Sequence, residues 1–77
     1  MNNFSVYERL MTILQNVLNV VIDLASELID KGKKQSLSEV ETKTLGTLLE
    51  TLQKLLKLNS DVFRKLGEVA GLVEKRD

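Results

Sequence analysis

Apolar residues recur in a seven-residue frame through the C-terminal half of this chain. The frame runs Leu45, Leu48, Leu52, Leu55, Val62, Leu66, Val69 and Val73, and Leu49, Leu56, Phe63 and Ala70 widen the stripe. Alternating steps of three and four residues place such positions on one face of a helix that lies along other helices. The N-terminal half is patterned differently. With Tyr7, Leu14, Val21 and Leu28 at one heptad position, the polar residues Arg9, Thr12, Asn16, Asn19, Asp23, Ser26 and Asp30 make a single narrow strip. Most of the remaining circumference is apolar, including Val6, Leu10, Ile13, Val17, Val20, Ile22, Leu24 and Ile29. A helix with one neighbour needs an apolar stripe of only about 100°. The first helix is therefore expected to be central, with neighbours on two sides.

Between the two patterns, Lys31-Gly32-Lys33-Lys34-Gln35-Ser36 contains no apolar residue, and Gly32 is placed to close the first helix in the left-handed conformation. Ser5-Val6-Tyr7-Glu8 reads as a capping box at the start of that helix, and Ser36-Leu37-Ser38-Glu39 and Ser38-Glu39-Val40-Glu41 offer two boxes for the next. The expectation is one all-helical domain over residues 1–77, with a helix over 5–31, a loop over 32–37 and a helix over 38–58. Leu58-Asn59-Ser60-Asp61 allows two continuations. Asn59 can end a helix and Ser60 can cap a new one over 60–75, giving a three-helix monomer. The preferred reading keeps the helix continuous, because the heptad frame holds its phase across the junction and Asn59 lands on a seam position, where asparagine fixes register. A helix over 38–75 would be about 57 Å long against about 40 Å for the first, and a second chain would cover the overhang. The expected assembly is a homodimer of hairpins forming a four-helix bundle, with Leu14, Val21, Leu28, Leu45, Leu52, Asn59, Leu66 and Val73 as its self-association core.

Composition narrows the chemistry. The 77 residues include no cysteine and no histidine, which removes disulfides and the usual zinc ligands and leaves self-association as the common stabiliser of a chain this small. Eleven basic and eleven acidic residues cancel, so nothing points to a strongly charged partner. Asp23, Glu27 and Asp30 are the densest carboxylates, but Glu27 and Asp30 stand four residues before Lys31 and Lys34, the spacing of surface ion pairs. No catalytic, cofactor or metal site is expected, and the chain is read as non-enzymatic. Neither a secretory leader nor a membrane span is expected from the apolar runs, and the reading is of a cytoplasmic protein.

What remains is interaction. Ile22 and Ile29 extend the apolar surface of the first helix beyond its hairpin frame and are the candidate surface for another protein, in the manner of a helix in a groove. The chain is expected to act as an adaptor, inhibitor or regulator. The alternative is a small nucleic-acid-binding bundle using Lys31, Lys33 and Lys34, although three lysines without arginine or an adjacent aromatic make a poor nucleic-acid surface.

Overall fold

The computed structural model describes residues 3–71, which form two antiparallel helices and no strand. Helix α1 spans Asn3–Lys34 and α2 spans Glu39–Val69. They pack along their whole length into a hairpin of 50 × 24 × 16 Å, one helix thick. Its radius of gyration is 16.7 Å, against about 11–12 Å for a compact chain of this length.

Helix α1 is longer at both ends than the sequence pattern indicates. Ser5 lies inside the helix and is not its cap, because Asn3 and Phe4 are already helical. Phe4 is half-buried and extends by one heptad the row of Met11, Leu18 and Ala25 that faces α2. At the other end Gly32 does not terminate the helix. Its φ is not positive, Lys33 and Lys34 are helical, and the Gln35 N–H donates to the Lys31 carbonyl at 2.9 Å. Leu37 returns across the turn to pack against this stretch, and a Cβ at position 32 would stand 3.4 Å from Leu37 Cγ, an ordinary van der Waals contact.

The connector is only four residues, 35–38, and ends in a complete capping box. The Glu41 N–H donates to Ser38 Oγ at 3.0 Å, and the Ser38 N–H donates to Glu41 Oε1 at 2.9 Å. Of the two boxes legible in the sequence, the second is used. Thr42 Oγ1 adds a hydrogen bond to the Ser38 carbonyl at 2.9 Å.

Helix α2 runs through Leu58-Asn59-Ser60-Asp61 without interruption. It stops at Val69, short of the expected 75. Ala70 and Gly71 donate to the carbonyls of Leu66 and Glu68, and Gly71 adopts φ +75°, the left-handed closure that glycine accommodates without strain. The two helices are thus nearly equal, 32 and 31 residues, and the expected overhang of the second does not exist within the described residues.

Among the described residues five side chains are buried: Leu14, Leu18, Val21 and Ala25 from α1, and Val62 from α2. Leu28, Leu45, Leu48, Leu52, Leu55 and Leu66 are half-buried along the same seam. The heptad positions of both helices are therefore occupied first by the contact within the hairpin.

Candidate interaction surfaces

Side chains turn by about 100° per residue around a helix, so the face each helix gives to the other also fixes what lies on either side. On α1, residues one step round from the buried row in one direction are Leu10, Val17 and Leu24, followed by Val6, Ile13 and Val20. Leu10 is half-buried and the other five are exposed, Ile13 and Val20 at 58%. The edge of α2 on this side carries Thr44, Thr51, Leu58 and Lys65. A shallow groove of about 350 Å³ between Leu24, Leu28, Lys31, Thr44 and Leu48 shows that these edges adjoin. This surface is called the Val17 flank.

The opposite side holds Ile22 and Ile29 from α1, 42% and 40% exposed, and the heptad row Leu49, Leu56 and Phe63 from α2, with Phe63 at 65%. This is the Leu56 flank. The polar strip Arg9, Thr12, Asn16, Asn19, Asp23, Ser26 and Asp30 is exposed throughout and lies on the back of α1, between the two flanks. The hairpin is thus a plank with apolar residues along both of its broad sides.

The positions singled out in the sequence are distributed unevenly. Leu14 and Val21 are buried, and Leu28, Leu45, Leu52, Asn59 and Leu66 are half-buried, all toward the partner helix of the same chain. Val73 lies outside the described residues. Asn59 Oδ1 is closed off from solvent and accepts no hydrogen bond from the described residues. Ile22 and Ile29 are exposed, as a binding surface requires. The five residues of α1 on the Val17 flank make a larger surface, and they belong to a second heptad frame that the first one obscures.

The lysine cluster is smaller than its sequence. Lys31 does not pair with Glu27 but crosses the connector to the Glu41 carboxylate. That ammonium, followed by the Ser38 N–H, lowers the Glu41 pKa from its ordinary 4.5 to about 2, against an opposing effect of burial that outweighs the smaller help of the Ser38 hydroxyl. Lys33 and Lys34 remain exposed in the last turn of α1, where they favour its C-terminal dipole. Among the described residues no three Asp or Glu side chains converge as a metal site would need.

Helix α1 is also long and apolar enough, by length and composition, to cross a membrane, with a mean hydropathy of 1.3 over its most apolar window. A central helix of a soluble bundle passes the same test, and Asn16, Asn19 and Asp23 lie within its length. Comparison with protein-family models, with curated proteins and with solved structures gave no match for this chain.

Proposed function

We propose that this chain is a small non-enzymatic helical protein of the cytoplasm that acts by protein–protein interaction, binding a second copy of itself and, through that assembly, another protein as an adaptor, inhibitor or regulator. The observation that carries this reading is the pair of exposed apolar flanks on a hairpin only one helix thick. A monomer of this size with five buried side chains has little core, and association is the remaining stabiliser in a chain without cysteine or histidine. Apolar patches of this extent on small proteins mark interaction surfaces.

Ile22 and Ile29, with Leu49, Leu56 and Phe63 beside them, suit an amphipathic helix laid along the Leu56 flank. Nucleic-acid binding is disfavoured because Lys31 is committed to Glu41, leaving two lysines of the cluster for phosphate. A membrane span is disfavoured by the continuous polar strip on α1.

The test is solution mass by light scattering over a dilution series, with circular dichroism on the same samples. A stable mass of twice 8.7 kDa with high helicity is expected. A helical protein that stays at 8.7 kDa at all concentrations would refute self-association. Replacing Ile22 and Ile29 by Lys should leave mass and helicity unchanged and abolish capture of the partner protein. Loss of the fold instead would place these residues in the core.

A further inference from the structure

We infer that the Val17 flank is the homodimer interface, and that the second copy lies antiparallel on α1 about a twofold axis level with residue 15. This inference rests on the self-association proposed above and names its face and orientation.

The structure exposes 6062 Å², whereas a compact monomer of 8.7 kDa exposes about 4,700 Å². The excess, roughly 1,300 Å² per chain, exceeds the ~800 Å² per partner of a standard stable interface. The surplus of this elongated hairpin is large enough for a second copy to cover a standard interface.

Val6, Leu10, Ile13, Val17, Val20 and Leu24 follow one another at steps of four, three, four, three and four. That spacing is a coiled-coil seam, and it reads the same in both directions from residue 15. In an antiparallel pair centred there, Val6 meets Leu24 of the second copy, Leu10 meets its Val20, and Ile13 meets its Val17. Every seam residue then has an apolar partner and none is left over. The seam stops where it should: the next positions in the frame are Glu27 and Lys31, one a carboxylate and the other committed to Glu41. At the polar edge of the seam the same register brings Arg9 to within two residues, about 3 Å of helix rise, of the level of Asp23 of the second copy, opposite in charge.

The exposed edge of α2 fits the same axis independently of the α1 pattern. A twofold axis perpendicular to both copies of α1 keeps the two α2 helices on the same side, so their Val17-flank edges must meet. The seam lies about 110° round α1 from the face toward α2, near the right angle of a four-helix bundle. Along that edge of α2, Thr44, Thr51 and Lys65 are polar and Leu58 is apolar and exposed. Across the hairpin, Lys31 meets Glu41, Leu28 lies by Thr44 and Leu48, and Tyr7 lies by Lys65 and Val69. Facing residue numbers therefore add to about 72–76, which puts α2 residues of about 57–61 level with residue 15. Leu58 is at that level. The one apolar residue of the edge sits at the axis, where it meets its own copy.

The natural absence of cysteine makes the test clean. Val6→Cys and Leu24→Cys proteins are oxidised alone and as an equimolar mixture, and the products are sized without reductant. A disulfide-linked dimer in the mixture, absent from either protein alone, is expected. In parallel, Gln35→Cys carries a spin label on the exposed connector, away from the seam. The antiparallel dimer places the two labels about 60 Å apart, at opposite ends, while a parallel dimer brings them together. Crosslinking of Val6→Cys with itself, or a short label distance, overturns the orientation. A dimeric mass with no crosslink in the mixture overturns the choice of face but leaves self-association standing, and a monomeric mass removes both.

Discussion

Replacing glycines by alanine changes stability with a sign set by the backbone at each position. Gly46 lies inside α2, and a Cβ there would meet nothing within 4 Å. Alanine should stabilise the fold by about 1 kcal/mol, the difference in helix propensity. Gly32 is the third residue from the end of α1, with non-positive φ. Its new Cβ would sit 3.4, 3.5 and 3.8 Å from three carbons of Leu37. These are close van der Waals contacts with a side chain that can yield a few tenths of an ångström, so Gly32→Ala should still gain about 0.5 kcal/mol. Gly71 is the opposite case. Its φ of +75° strains any residue with a Cβ, and alanine should cost about 1 kcal/mol although nothing crowds the site. Urea denaturation followed by far-ultraviolet circular dichroism measures all three, at one protein concentration because association contributes to apparent stability. In thermal scans a change of 1 kcal/mol corresponds to roughly 4–8 °C for a domain of this size. A loss of 1 kcal/mol or more for Gly32→Ala, with Gly46→Ala stabilising as stated, would refute the continuous end of α1. It would restore Gly32 as a left-handed terminator.

Other outcomes follow from the connector and the seam. Ser38→Ala removes the cap of α2 and should cost about 1 kcal/mol in urea denaturation, whereas Ser36→Ala, outside the box in use, should be near neutral. Because the Glu41 pKa is depressed on folding, its contribution to stability is complete above about pH 4.5 and is lost as the pH falls toward 2. Stability measured across that window should decline in the natural chain, and the decline should be shallower in Glu41→Gln. Asn59→Leu removes a half-buried carbonyl oxygen with no donor among the described residues and should stabilise by about 1 kcal/mol. If the asparagine fixes register, light scattering of that variant should show a broader distribution of masses.

The heptad frame, the hairpin and, as one of two alternatives, the Ser38–Glu41 cap were legible in the sequence, because each depends on neighbours within one or two turns. The misreadings have a common cause in contacts from further along the chain. Gly32 resembles a terminator locally, yet the helix passes through it and Leu37 packs back beside it. Lys31 has Glu27 four residues behind it, yet the turn presents Glu41. The end of α2 was missed for a different reason: Val69 and Val73 keep the heptad phase, so the pattern runs past Gly71 without marking the change in φ. The Val17 flank was visible as apolar circumference but not as a separate seam. A helical wheel cannot assign one of two stripes to the hairpin until the connector and the second helix have chosen between them.

The short connector also sets the order in which the hairpin can assemble. Lys31 and Glu41 are ten residues apart in sequence, whereas Tyr7 and Lys65, which face each other at the open end, are separated by nearly six times as much chain. Closing the larger loop first would cost about 1.6 kcal/mol more in chain entropy. Contacts near the connector therefore form first and each one shortens the next closure, so that the helices zip from the Ser38 cap toward Asn3 and Val69. With local steps to take, such a chain belongs among the fast folders, and the open end around Tyr7 and Lys65 closes last.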